Sequence, residues 1–439
     1  MTYEEAIAYL EDACTFGIKP GLMRIHELLV RLGNPHETYK TVHVTGTNGK
    51  GSVTAVIANA LTAAGRKTGR YTSPHLEEYT ERMSIDGHLI TKEEFAIITE
   101  EVKDATEGMK ADGFEQPTEF EMLTAAAFLY FCRQQVEYAV IEVGLGGLLD
   151  STNVITPQVS AITNVAVDHT AYCGPTVEDI AVHKAGIIKE GIPVVTAATG
   201  TALEIIEKTA RSKKAPLYVV DKEIVIQNRA LIHVSDGTVR QKICIEGPEL
   251  MRTEVDTPLV GAHQAVNAAV AVGVLRLLGK TDGAVRDLAI MKGFHTVYWP
   301  GRFQILSVSG KTMIIDGAHN PAGIESFCRT YEEVFGKRRR VFVFSVLADK
   351  EYDKIVRRLF RANDAIFCAP APTPRTADPK AMADLIGEAA KACPSVSAAI
   401  DTALKETTEE DVCVVVGSLY IQGEVRRHLI ESMNTKFKY

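Results

Sequence analysis

The stretch His43-Val44-Thr45-Gly46-Thr47-Asn48-Gly49-Lys50-Gly51-Ser52 decides how the rest of this chain is read. A β-rich run ends at Thr45, small residues make a turn, and a helical pattern follows at Val53, Val56, Ile57, Ala60 and Leu61, closed by Gly65. Strand, Gly-rich turn and helix N-terminus together make a phosphate cradle. Backbone N–H groups converge on the anion, the helix dipole favours negative charge, and a lysine adds a point charge. The spacing is not that of a strict Walker A motif, which sets its glycines wider and places Ser or Thr directly after the Lys. Here Gly51 intervenes, so the residue after Lys50 offers no hydroxyl to a metal. The bland alternative is a Gly-rich turn with an exposed lysine; we adopt the phosphate reading.

Around that stretch lie 439 residues, more than one ordinary core, which predicts two or three domains. Hydrophobic content of 46%, charged content of 24% and a mean hydropathy near zero describe a soluble globular protein. The formal net charge of −8 argues against nucleic acid as the main partner and leaves room for a local basic cleft. We see no signal pattern and no apolar run long enough to cross a bilayer, so we expect no membrane partner and a cytoplasmic location. The eight cysteines are scattered without CxxC spacing. Those in apolar runs (Cys132, Cys368, Cys413) read as buried reduced thiols, not as a zinc site or a disulfide frame.

Residues 3–14 and 21–32 carry helical spacing. Beyond the loop and its helix, 67–71 reads as a second strand leading into Thr72-Ser73-Pro74-His75-Leu76, and long helices are expected near 92–107 and 118–134. The apolar runs 138–143, 159–163 and 193–196 are typical of strands buried on both faces of a parallel sheet. Strands alternating with helices imply a doubly wound α/β domain. From about 217 to 255 short alternating runs, with turns such as Ser235-Asp236-Gly237, predict a small β-rich layer, and helical patterning returns at 262–278. Tyr298-Trp299-Pro300-Gly301 reads as a linker, giving domains 1–297 and 298–439. The second holds strands near 303–308, 312–315, 341–346, 365–369 and 412–416 with helices between. It looks like a smaller Rossmann-like domain, but without GxGxxG after its first strand it is not read as binding a dinucleotide.

Ligands of doubly wound sheets bind beyond the carboxyl ends of the strands. Glu142 ends a buried run there and precedes Gly144-Leu145-Gly146-Gly147, so it is placed to hold Mg²⁺ beside a phosphate loop; a carboxylate capping a loop is the alternative. Asp168-His169 follows another apolar strand, read over 161–167, and a lone His is more often structural than a ligand. Lys184 and Lys189, in a stretch ending at Gly191-Ile192-Pro193, have the ordinary reading of a solvated face. Asp316-Gly317-Ala318-His319-Asn320-Pro321 packs three polar side chains into a turn after a strand, which is either a site or a plain turn.

Taken together, these stretches resemble the folylpolyglutamate synthase/dihydrofolate synthase family, within the Mur-type amide-bond ligases. The resemblance rests on TGTNGKGS (45–52), TSPHL (72–76), EVGLGGLLDSTN (142–153), Asp168-His169-Thr170, KAGIIK (184–189), WPGR (299–302), DGAHNPAG (316–323) and GSLYIQGEVR (417–426), in the family's order over almost the whole chain. It implies transfer of the γ-phosphoryl of ATP to a carboxylate of a pterin-bearing substrate, followed by attack of the L-glutamate amine on the acyl phosphate. It places Gly46, Thr47, Asn48, Gly49, Lys50, Gly51 and Ser52 on the phosphates, and Asn267, Arg302 and Asp316 on the nucleotide. Ser73, Glu142 and His169 would hold Mg²⁺, with Ser73 supplying the hydroxyl that Gly51 lacks, and two ions are implied. His319 would lie near the transferred phosphate, and Lys184 matches a lysine that the family carbamylates. The implied partners are small molecules (ATP, L-glutamate, reduced folate or dihydropteroate), acting on a monomer whose site lies between domains and is assembled by closure.

Two positions depart from the family pattern: Leu148 stands where it usually has Arg (GLGGRLD), and His183 where it usually has Glu. The first removes a fixed charge; the second changes what can orient Lys184. Two other readings compete with a folate ligase. One is another Mur-type amino-acid ligase, against which Gly51 counts because the wall ligases usually carry Thr after the loop lysine. The other is a nucleotide-binding paralogue without catalysis.

Overall fold

The computed structural model describes residues 1–13, 19–168, 170–234, 237–247, 250–348, 350 and 352–433. His169 and the expected turn residues Ser235 and Asp236 lie outside this set. The chain packs as two compact units. The first comprises Met1–Asn228, Ile243–Val255 and Val266–Val297; the second comprises Arg229–Lys242, Asp256–Ala265 and Tyr298–Tyr439.

The first unit is built on a sheet of eight strands: β1 (Lys40–Thr45), β2 (Thr68–Tyr71), β3 (Met83–Ile85), β4 (His88–Leu89), β5 (Tyr138–Glu142), β6 (Val159–Ile162), β7 (Val194–Thr196) and β8 (Leu217–Val219). Their order is β4-β3-β2-β5-β1-β6-β7-β8, parallel from β2 to β8 with β3 and β4 added antiparallel at one edge. All five residues of β5 are buried, as a central strand covered on both faces requires. The helices begin where the caps say they should. Thr91 accepts from Glu94 N and Thr118 from Glu121 N, each in a reciprocal capping box. The helix Lys50–Ala63 is buried along most of its length, and against it lies the helix Asp287–Thr296. Gly293 lets the two backbones close up, since a Cβ there would stand 2.5 Å from Ala60 Cα. The strand expected over 161–167 stops at Ile162, and the two-stranded edge β3–β4 has no clear signal in the sequence.

A three-stranded sheet follows, ordered β11-β10-β9, from β9 (Val225–His233), β10 (Val239–Gly247) and β11 (Leu250–Thr257). The second unit adds β12 (Gln304–Val308), β13 (Lys311–Ile315), β14 (Arg340–Phe344), β15 (Ala365–Cys368), β16 (Ala390–Ala392) and β17 (Val412–Val416), ordered β12-β13-β17-β14-β15-β16. It opens with an antiparallel hairpin, β12 on β13, before the parallel strands begin. One face of this sheet (Ile314, Phe342, Phe344, Val414) packs with Phe327 and Tyr331, and with Val239 and Val260 from the earlier segments. The other (Met313, Val343, Val415) packs with Ile400 and Leu429.

Two expectations need correction. The helix Ala262–Gly279 does pass a length-and-composition test for a membrane span, although 72% of it is buried in the fold. Its apolar character comes from being covered by protein along most of its surface. Cys368 and Cys413 are buried and free as read, but Cys132 is half-buried.

Candidate functional site

The loop after β1 is shaped by two glycines. Gly46 has φ 153° and Gly49, which caps the helix Lys50–Ala63, has φ 84°. Both are also hemmed in: a Cβ on Gly46 would collide with Thr163 Oγ1, and one on Gly49 with the carboxamide of Asn267. The segment after β6 stitches the loop down. Thr47 N donates to Asn164 O at 3.0 Å, Asn48 N donates to Asn164 Oδ1 at 2.9 Å, and Thr163 Oγ1 donates to Asn48 O at 2.6 Å. Lys50 Nζ reaches back over the loop to the carbonyls of Gly46 (3.0 Å) and Thr47 (3.3 Å). Gly51 and Ser52 are buried in the first helical turn. The structure therefore brings Asn267 to the phosphate loop, although the two lie more than 200 positions apart in the chain.

Beside this loop, Val44 of β1 pairs with Glu142 at the carboxyl end of β5, and Tyr71 at the end of β2 pairs with Ile141. Ser73, two residues beyond β2, is thus at the same sheet edge as Glu142. Glu142 is 4% exposed and Ser73 half-buried. A carboxylate and a hydroxyl are hard oxygen donors of the kind Mg²⁺ takes, and that ion keeps water or phosphate oxygens for its remaining positions. The donors fit such an ion. Lys184, on the last turn of the helix Val177–Ala185, is 5% exposed, which overturns the solvated-face reading. Burial and then the charge of Lys50 pull its pKa from the usual lysine value down to about 7, against the opposing influence of Cys173, Asp168 and Asp150. Lys189 is half-buried and donates to Asn153 O at 2.9 Å, so it ties the helix exit to the short helical turn Ser151–Val154. Leu148 is 40% exposed, and its backbone N donates to His183 O at 2.7 Å.

In the second unit, Asp316 follows β13 and spends both oxygens on the backbone: Oδ2 accepts from Phe303 N at 2.7 Å and Oδ1 from Ala318 N at 2.8 Å. Burial raises its pKa, and the Arg302 charge works against that rise. The ring Nδ1 of His319 lies 2.7 Å from Gly317 O, and Asn320 caps the helix Pro321–Phe335 by accepting from Gly323 N. Part of the DGAHNP turn is therefore structural, with Asn320 and Pro321 starting a helix and Asp316 bracing the segment that carries Arg302.

Sequence reasoning missed two groups. Arg70, on β2, is a cation in a buried strand; burial draws its pKa down to about 10 and the Glu142 carboxylate opposes this. A charged residue inside an otherwise unremarkable strand was the available signal. Asp150 is 6% exposed and accepts from Leu145 N (2.8 Å) and Thr152 N (3.0 Å), so it shapes the loop after Glu142. Gly-rich loops ending in Asp are common enough that spacing alone did not mark it.

Comparison with known proteins gives the family. Residues 44–275 match the Mur ligase middle domain and residues 301–419 the Mur ligase glutamate ligase domain. The chain is 36% identical to the dihydrofolate synthase/folylpolyglutamate synthase of Bacillus subtilis, over 97% of this chain and 99% of that one. Its fold is similar to that of Mycobacterium tuberculosis folylpolyglutamate synthase complexed with ADP and AMPPCP (TM-score 0.88, 30% identity, 98% and 100% coverage). It is also similar to Escherichia coli FolC in complex with DHPP and ADP (TM-score 0.84, 30% identity, 97% of each chain). With both Mur ligase domains present and near-complete alignment to enzymes of this kind, the chain belongs to the folylpolyglutamate synthase/dihydrofolate synthase family.

Proposed function

We infer from this membership that the chain is an ATP-dependent amide-bond ligase that adds L-glutamate to folates, and we propose that it also accepts dihydropteroate. The observation that carries the reading is the phosphate loop held between Thr163–Asn164 and Asn267, with the buried Glu142 on the neighbouring strand end. Backbone N–H groups of 47–52 and the helix N-terminus would bind the ATP phosphates, and Lys50 would leave the loop carbonyls to meet them. Positioning and charge neutralisation supply most of the acceleration in phosphoryl transfer, so this part of the site has little covalent work to do. The γ-phosphoryl passes to the substrate carboxylate, the glutamate amine attacks the resulting acyl phosphate, and phosphate leaves. Glu142 and Ser73 would hold Mg²⁺, with His169 as the third ligand implied by resemblance; the ion neutralises charge developing on the phosphates.

Lys184 is proposed to carry a carbamate. A neutral amine adds CO₂ and releases a proton, and a pKa near 7 leaves about half the amine neutral at neutral pH. The product offers two oxygens to a hard cation. Arg302 and Asp316 are read as nucleotide contacts and His319 as a neighbour of the transferred phosphate. The protein is further taken to act as a cytoplasmic monomer.

One assay matrix tests the function. ATP and glutamate are supplied with tetrahydrofolate, dihydropteroate or a muramyl precursor, and ADP and product mass are scored. Glutamylated folate with stoichiometric ADP is expected. Turnover of the muramyl precursor alone, or no ADP release with any acceptor, would overturn the reading.

A further inference from the structure

Gln422 is the first residue of the helix Gln422–Met433 and is 3% exposed, yet neither its carboxamide oxygen nor its nitrogen has a hydrogen-bond partner. Buried polar groups are nearly always satisfied, and an unmet one is costly, so such a residue calls for a reason. The carboxamide is aimed at a small cradle. A Cβ on Gly301 would collide with its Oε1, and a Cβ on Gly317 would come within 3.0 Å of its Nε2. The same Cβ on Gly317 would collide with Arg302 Nη1, so the guanidinium and the carboxamide press on one patch of backbone. Arg302 Nη1 meanwhile donates a long hydrogen bond, 3.2 Å, to Gly301 O, a carbonyl that also accepts from Gly317 N at 2.9 Å. The arrangement sets a guanidinium beside a buried carboxamide oxygen that has no donor.

We propose that Gln422 is a positioning residue of the nucleotide site: when nucleotide binds, its carboxamide oxygen accepts a hydrogen bond from Arg302 and fixes the guanidinium toward the ligand. This rests on the reading of Arg302 as a nucleotide contact. Gly301 and Gly317 are then required to be glycine because the carboxamide and the guanidinium need the space that side chains would fill. The Gln422 carboxamide, buried and without a hydrogen-bond partner, is then the group held ready for the bound state. Residues kept for function at a cost to the resting fold have this character.

The test compares Gln422→Leu, Arg302→Ala and the double variant in the full-length protein, by calorimetric titration with ADP and by thermal melting without nucleotide. Gln422→Met serves if the Leu variant does not fold. A polar group unsatisfied in the free state should be replaced by an apolar one without loss, so the melting temperature of the Leu variant should hold or rise. Its Kd for ADP should rise about tenfold, equivalent to about 1.4 kcal/mol, and KM for ATP should rise with kcat less affected. In the Arg302→Ala background the Gln422 substitution should add almost nothing, since the interaction is already gone. An unchanged Kd in the Leu or Met variant, or full additivity with Arg302→Ala, would overturn the proposal. If Arg302→Ala itself leaves ADP binding intact, the nucleotide reading of Arg302 fails, and the proposal fails with it for that separate reason.

Discussion

Lys184 is buried at the end of its helix with the charge of Lys50 acting on it, and the two effects together draw its pKa down to about 7. Burial, and then the charge of Lys50, thus favour the neutral, nucleophilic amine form of Lys184.

That depressed pKa predicts a stability signature. Below about pH 7 Lys184 is protonated in both the folded and the unfolded chain, and the folded state bears the full penalty of the buried charge. Between about 7 and the ordinary lysine value the unfolded chain holds the extra proton, so stability rises with pH across that window. Lys184→Met removes the penalty. In CO₂-free buffer at pH 6 it should be more stable than the parent by on the order of 4 kcal/mol, at 1.36 kcal/mol per pKa unit, with the gap closing toward pH 10. Urea midpoints at the two pH values check this, and catalysis should be lost throughout.

Lys50→Ala should reduce ATP turnover by more than tenfold, about 1.4 kcal/mol or more in barrier, while leaving the circular dichroism spectrum intact. Removing the Lys50 charge should also let the pKa of Lys184 climb. With ¹³C-bicarbonate, the carbamate resonance should then appear only at higher pH than in the parent. A turnover above a tenth of the parent's would contradict the phosphate-loop assignment.

Glu142→Gln keeps the shape of a buried strand-end side chain and removes its charge. The Mg²⁺ concentration for half-maximal activity should rise at least about tenfold, with Mn²⁺ binding by electron paramagnetic resonance weakened in parallel. An unchanged metal titration would return Glu142 to a loop-capping role.

Gly49→Ala should fail twice. Its φ of 84° is strained for alanine, and the added methyl would meet the Asn267 carboxamide. A loss of about 1–3 kcal/mol in stability is expected from the backbone alone. ATP binding should weaken because the loop must shift; calorimetry on the folded variant measures it.

A fragment ending at Val297 should not behave as a self-contained domain. It would retain Leu231, Val239 and Val260 without Ile314, Phe327 and Phe342, against which their cluster is built. Dye binding to exposed apolar surface and concentration-dependent aggregation are the expected readouts. A monomeric fragment with no dye binding would contradict this.

Periodicity and composition were enough for the parallel strands, the Gly-rich turn and the alternation of strand and helix, because these follow from local backbone preferences and two-sided burial. β5 reads as a buried strand from Tyr138-Ala139-Val140-Ile141 alone, and the turn that holds Gly49 is legible from its small residues between strand and helix. Order of motifs along the chain was sufficient for the family. Tertiary structure decided what no spacing encodes. Lys184 and Lys50 interact because a helix end and a loop converge, so a lysine that reads as solvent-facing is buried, with its pKa drawn down to about 7. Asn267 meets Gly49, and Gln422 meets Gly301 and Gly317, only through packing between distant segments. Arg229–Lys242 and Asp256–Ala265 likewise join the second unit through apolar contacts such as those of Val239 and Val260, not through any break in the sequence. Local sequence determines which conformation each stretch prefers; which charges and amides become neighbours is set by the burial of apolar faces far apart in the chain.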